Sequence, residues 1–117
     1  MKYYKQKNGY TAYIDVDETL VFWKDDPNDT SNKVLSLPNG NLVIKLHKKH
    51  IQLVKNLFAI GWNITIWSQG GSDHAENVIK QIGLADYVHE IMNKPQMYLD
   101  DKLFQDQGIR RSYHNDD

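Results

Sequence analysis

Four short stretches of this sequence carry residue types that can do chemistry. Asp15-Val16-Asp17-Glu18-Thr19 sets two carboxylates two positions apart at the end of an apolar run, and Asp100-Asp101 repeats the theme after Tyr98-Leu99. Ser68 opens Ser68-Gln69-Gly70-Gly71, and Lys94 stands in Asn93-Lys94-Pro95. Each has an ordinary reading when taken alone: a solvated strand end, a turn, a strand-to-helix connection, a surface lysine. Together they describe a site. Asp15 and Asp100 at adjacent strand ends would repel unless a cation lay between them, and hard oxygen ligands in a chain without cysteine point to Mg²⁺. Ser68, with the amides of Gln69, Gly70 and Gly71 before a helix start, can donate to a phosphate oxygen. Lys94 can neutralise the same phosphate as a point charge. A calcium-binding loop starting at Asp15 is excluded, because its sixth position would be Leu20 where that loop requires glycine.

Secondary-structure patterning supplies elements to position these groups. Thr11 to Val16 reads as a buried strand with a polar carboxyl end. Leu20 to Trp23 is a second apolar run, and Lys24 to Asn32 is a loop. Val34–Leu37 and Leu42–Leu46 flank Pro38-Asn39-Gly40-Asn41 and predict a hairpin, so that 20–46 forms a flap and not a second domain. Ile51, Val54, Leu57 and Phe58 fall at helical spacing between about Lys48 and Ile60, with Gly61 as the stop. Trp62 to Trp67 alternates and predicts a strand. A second helix follows, capped by Ser72 or Asp73, with Ala75, Val78, Ile79 and Ile82 inward and Gly83 at its end. Tyr87–Ile91 reads as a strand edge, Met97–Leu99 as a short strand delivering Asp100-Asp101, and 110–117 as a frayed tail. Such alternation of strand and helix favours an α/β domain with a parallel sheet, in which ligands sit at the carboxyl ends of the strands. Asp15/Asp17, Ser68 and Asp100/Asp101 all end predicted strands.

Composition bounds the rest. The 117 residues suit a single domain, 1–117, and 14 Lys+Arg against 15 Asp+Glu give no global basic field of the kind that announces a nucleic-acid binder. The absence of cysteine excludes disulfide frameworks and cysteine-rich zinc sites. Met1 to Gly9 has no apolar leader-like run, and no stretch approaches the ~18 apolar residues of a membrane span, so a soluble cytoplasmic protein with no membrane partner is expected. Lys45-Leu46-His47-Lys48-Lys49-His50 is a local basic cluster that reads first as a solvated face and second as a means of steering a polyanion. Trp67 reads as core, and Phe22 and Trp23 as an apolar platform beside the site. Asp73 and His74 beside Ser72 suggest a triad only on paper, since triads converge in space.

The chain resembles the haloacid dehalogenase-like (HAD) phosphohydrolases. Asp15-Val16-Asp17-Glu18-Thr19-Leu20 is similar to that superfamily's DxDxT signature, Ser68 after Ile64–Trp67 to its second motif, and Lys94 and Asp100-Asp101 to its third and fourth. The likeness spans roughly Tyr10 to Lys102. Asp-x-Asp-Glu-Thr-Leu-Val resembles small phosphatases of polymerase C-terminal-domain phosphoserines, whereas Lys94-Pro95-x-x-Tyr98-Leu99-Asp100-Asp101-Lys102 resembles a KPxxxYIDDK pattern of short bacterial and phage members. The resemblance implies a Rossmann-like three-layer sandwich with a minimal parallel sheet, a hairpin flap and no cap domain. It also implies an Mg²⁺-dependent phosphomonoester hydrolase. In that scheme Asp15 is the nucleophile and Asp17 the general acid and base. Ser68 and Lys94, aided by Thr19, Gln69 and Gly70, hold the phosphoryl oxygens and the loop; Asp15, Asp17, Asp100 and Asp101 form the metal set. Two departures accompany it: Lys94 lies six residues before Asp100, where many relatives place a helix, and Leu103–Asp117 is short for a further strand. An open, capless site implies a bulky substrate, a phosphoprotein or a nucleic-acid end phosphate. The alternative is a non-catalytic phosphate- or partner-binding protein on the same fold; a receiver domain fits poorly, because there the acidic pair comes first.

Overall fold

A computed structural model describes residues 5–7, 9–23 and 32–102. Its strands are β1 (Thr11–Asp15), β2 (Val21–Phe22), β3 (Asn32–Leu37), β4 (Gly40–Leu46), β5 (Asn63–Ser68) and β6 (Glu90–Asn93), and its helices α1 (Lys48–Ala59) and α2 (Ser72–Gln81). The result is an α/β domain with two sheets. One is parallel, in the order β1-β5-β6; the other is antiparallel, in the order β2-β4-β3. β5 is central and buried along nearly its whole length, as the middle strand of a parallel sheet must be. Helix α1 packs on β5 and α2 packs on β5 and β6.

One core joins both sheets. Ile64 and Ile66 of β5, Val54 of α1, Val78 and Ile79 of α2, and Leu35 and Ile44 of the antiparallel sheet are all fully or almost fully buried in it. The hairpin is therefore part of the core, not a free flap. It turns at Pro38-Asn39, with Leu37 opposite Gly40. Alternation along β3 leaves the Ser36 amide and carbonyl on the edge facing away from β4. Gln81 and Asn77 of α2 take both groups: Ser36 N donates to Gln81 Oε1 (2.8 Å), and Ser36 O accepts from Gln81 Nε2 (2.7 Å) and Asn77 Nδ2 (3.0 Å).

Helix ends follow the expected glycines at the carboxyl side, where Gly61 (φ 93°) and Gly83 (φ 80°) take the left-handed conformation. The amino end of α2 differs from expectation. Neither Ser72 nor Asp73 caps it; Gly71, at φ 100° and ψ 160°, is the N-cap, and Asn93 at the end of β6 accepts the Ser72 amide (2.7 Å). Only glycine adopts that backbone readily, so Gly71 allows the abrupt strand-to-helix corner after Ser68.

The third parallel strand also differs. Met97–Leu99 forms no strand, and these side chains are exposed (78, 48 and 87%). Proline at 95 removes an amide donor just after Lys94, whose own amide is bonded to Ser68 O (2.9 Å), so no ladder continues into this segment. The sheet is completed instead by Glu90–Asn93, two to three residues later than the edge predicted at Tyr87–Ile91. Of the loop expected over Lys24–Asn32, Asn32 instead begins β3, while 24–31 and the tail at 110–117 lie outside the described residues. No helix among the described residues is long and apolar enough to cross a membrane.

Candidate functional site

The carboxyl ends of β1, β5 and β6 converge. Asp15 is the last residue of β1, Ser68 the last of β5, and Lys94 follows β6 directly. Beyond Asp15 the chain folds into a tight loop: Thr19, Leu20 and Val21 amides all approach Val16 O (3.2, 2.9 and 3.3 Å), and Glu18 takes a positive φ of 61° while its amide donates to Val21 O (2.8 Å). Val16 and Leu20 are fully buried and anchor the loop from beneath. This leaves the acids on the rim.

Thr19 Oγ1 donates to Asp15 Oδ2 (3.0 Å). Lys94 Nζ lies 3.9 Å from Asp15 Oδ1 and 5.8 Å above the Trp67 ring. Trp67 is thus half-buried beneath the lysine and against Tyr13 (4.7 Å between centroids), not sealed in the core. Ser68 Oγ donates to Asp17 Oδ2 (3.3 Å) and accepts the Gly70 amide (3.0 Å). The Ser68 carbonyl accepts from both Gly71 N (3.3 Å) and Lys94 N (2.9 Å), so one peptide group fixes the helix corner and the lysine together. Gln69 and Gly70 lie exposed at the turn.

Two members of the site were not assigned to it from sequence. Trp23 Nε1 donates to Asp17 Oδ1 (2.9 Å), and His74 Nε2 lies 2.9 Å from the same oxygen. With Ser68 on the other oxygen, the Asp17 carboxylate is held by three side chains from three segments. Tryptophan was read as an apolar platform, yet its N–H does the work; His74 shares a helix turn with Asp73 but points to Asp17, with no triad geometry. Neither contact has a local signal, because His74 and Asp17 are 57 positions apart. The loop is also held from the other side. His50 Nδ1 lies 2.8 Å from Thr19 O, and His50 stacks on the buried His47 (3.6 Å, 2°), which packs against Phe22. Part of the basic cluster at 45–50 is therefore structural, and Lys48 and Lys49 form its exposed portion.

Asp100 and Asp101 follow Tyr98-Leu99 on a segment that is neither strand nor helix. Both are exposed. Asp100 accepts from the Tyr98 hydroxyl (3.0 Å) and the Lys102 amide (3.1 Å). A hydrogen bond with the Asp101 side chain, followed by those with the Lys102 amide and Tyr98, holds the Asp100 carboxyl below its ordinary range. Among the described residues no three His, Asp or Glu side chains form a group able to hold a metal. Within the cluster, Asp15 Oδ1 is the carboxylate oxygen with no close hydrogen bond among the described residues, and it is the atom open to an electrophile or a cation.

No protein-family model matches this chain, and no curated protein matches it.

Proposed function

We propose that this protein is an Mg²⁺-dependent phosphomonoester hydrolase of the HAD type, working through an aspartyl-phosphate. The observation that carries the reading is the convergence of Asp15, Asp17, Thr19, Ser68 and Lys94 at three strand ends, each in a contact suited to its role. A three-layer, capless arrangement belongs to the same reading.

Asp15 Oδ1 attacks phosphorus in line with the ester oxygen; a P–O bond to Asp15 forms as the ester P–O bond breaks. Thr19 on Oδ2 leaves that single oxygen aimed outward, which limits the rotational freedom lost on reaction. The leaving oxygen takes its proton from Asp17, and in the second step Asp17 accepts a proton from the water that attacks the aspartyl-phosphate, releasing inorganic phosphate. Trp23 and His74 fix the orientation of that carboxyl group. The Gln69 amide and the Lys94 ammonium hold the phosphoryl oxygens, with fixed dipoles replacing water. Ser68 Oγ and the Gly70 amide, bonded to Asp17 and to each other in the free protein, would turn from those partners to join them. The donors fit a hard cation in part: Mg²⁺ ordinarily takes one or two carboxylates with water and substrate phosphate, and Asp15 provides one, while both Asp17 oxygens are engaged. Asp100 or Asp101 would supply the second by moving from its local contacts. When bound, the ion screens repulsion between the anionic nucleophile and the phosphate.

The test is phosphate release from an aryl phosphate, with and without Mg²⁺. Asp15→Asn should lower the rate by roughly 10³-fold or more, the scale for removing a nucleophile; equal rates for both proteins would defeat the assignment. Asp17→Asn should lose most turnover while leaving the fold intact. The local bonds of Asp100, to Tyr98 and Lys102, favour a second reading, a non-catalytic phosphate-binding protein. It predicts binding of inorganic phosphate without any release of phosphate from esters.

A further inference from the structure

Resting on the phosphatase reading, we propose that the cleft between the β3–β4 turn and the start of α2 is the leaving-group subsite, and that it selects phosphoserine or phosphothreonine in a peptide with a basic residue beside it. The cleft has a volume of about 460 Å³ and is lined by Ser36, Leu37, Pro38, Asp73, His74 and Asn77. That volume lies within the ordinary range for ligand sites, roughly 300–1,000 Å³.

Its position fixes what enters it. His74 lines the cleft and also bonds Asp17, the group that protonates the leaving oxygen, so the cleft adjoins the acid side of the reaction centre. A substrate whose phosphoryl group lies between Asp15, Ser68 and Lys94 must extend its remaining atoms past Asp17 in this direction.

Its chemistry narrows the class. Among the described residues the lining holds one carboxylate, the exposed Asp73, and no lysine or arginine. Asp73 stands in the first turn of α2, where the helix dipole favours its negative charge. The Asn77 amide is already engaged with Ser36 O and Gln81. Leu37 and Pro38 offer an apolar wall for the aliphatic stem of lysine or arginine, with Asp73 available for its charged end. A nucleic-acid end would bring its next phosphate against Asp73. Asp17, bonded to His74, adds a further acid on that side.

The experiment measures kcat/KM of the full chain with Mg²⁺ on an aryl phosphate and on three phosphoserine peptides. These differ only in Lys, Ala or Glu next to the phosphoserine; a 5′-phosphorylated oligonucleotide completes the set. The expected order is Lys, then Ala, then Glu, with about two- to fivefold between neighbours, the range of an exposed ion pair, and with the oligonucleotide slowest. Asp73→Asn should compress the Lys-to-Glu ratio measured within that variant, and Asp73→Lys should invert it. Hydrolysis of the aryl phosphate with a flat or reversed peptide order, or with the oligonucleotide fastest, overturns the subsite alone. No release from any compound overturns the phosphatase reading and the subsite with it.

Discussion

His89 supports the central strand in a way that makes stability depend on pH. Its main-chain amide donates to Ile64 O (2.9 Å), and its Nδ1 accepts the Ile64 amide (3.0 Å). The imidazole thereby supplies the acceptor that a strand carbonyl would provide just before β6 begins. Replacing it in His89→Leu keeps an apolar side chain against Phe58, whose ring centroid lies 5.4 Å away, but leaves the amide of a fully buried residue without its acceptor. Such a loss costs about 1–3 kcal/mol. With an unfolding entropy of about 2.1 cal/mol/K per residue, a 2 kcal/mol loss lowers Tm by about 8 °C in a chain of 117 residues. Protonation removes the same acceptor. Burial, and secondarily the positive charge of Lys5, push the His89 pKa below its ordinary 6.5. A base with a lowered folded pKa binds fewer protons folded than unfolded, so its contribution is complete above about pH 6.5 and is lost as pH falls through the folded value. The slope from this one group is at most about 1.4 kcal/mol per pH unit. Urea unfolding at several pH values between 7.5 and 5 tests both parts. Wild type should lose stability on acidification with a slope that His89→Leu lacks. Parallel decline of the two proteins, or equal stability at pH 7.5, would refute the role assigned to the imidazole.

Other perturbations have definite outcomes. Thr65→Val should raise stability by about 1 kcal/mol, or Tm by about 4 °C, because the Thr65 hydroxyl is fully buried and has no hydrogen-bond partner among the described residues; a lower Tm would contradict this. Asn63→Ala should lower the urea midpoint by an amount equivalent to about 1–2 kcal/mol. The Asn63 side chain accepts from Gln6 N (2.7 Å) and donates to Gln6 O (2.8 Å), clipping the amino-terminal segment to β5, so amide exchange at Gln6 should accelerate in that variant. Gly70→Ala would set a Cβ 3.0 Å from His74 Cδ2 and 3.3 Å from Ser68 Oγ, displacing two groups that hold Asp17. Phosphate release should fall by about tenfold or more with little change in Tm, as small displacements of reacting groups are costly.

Much of the framework was legible in the sequence because it depends on local pattern. The apolar alternation at 62–67, the helical spacing of Ile51, Val54, Leu57 and Phe58, and the Pro-Asn-Gly turn each found their element within a residue or two. Strand ends then carried Asp15, Ser68 and Lys94 to one place, as parallel-sheet topology requires. What escaped depends on pairing partners. Met97–Leu99 has strand-like residues but no ladder to join, whereas Glu90–Asn93 mixes polar and apolar residues and pairs because β5 offers an edge. Gly71 is the N-cap of α2 and its first amide is satisfied by Asn93, 21 positions away, so the local Ser72-Asp73 signal misled. Trp23 and His74 joined the site through hydrogen bonds that hydropathy cannot encode.

The clasp between Ser36 and α2 bears on the cleft proposed as a leaving-group subsite. Both polar groups of one peptide edge are tied to Gln81 and Asn77, while Leu35 just before them is fully buried in the core. Swinging the turn outward would break three hydrogen bonds and drag a leucine into water, a combined penalty of several kcal/mol. Under the phosphatase reading, the cleft beside Asp17 would keep one width whatever molecule approaches it.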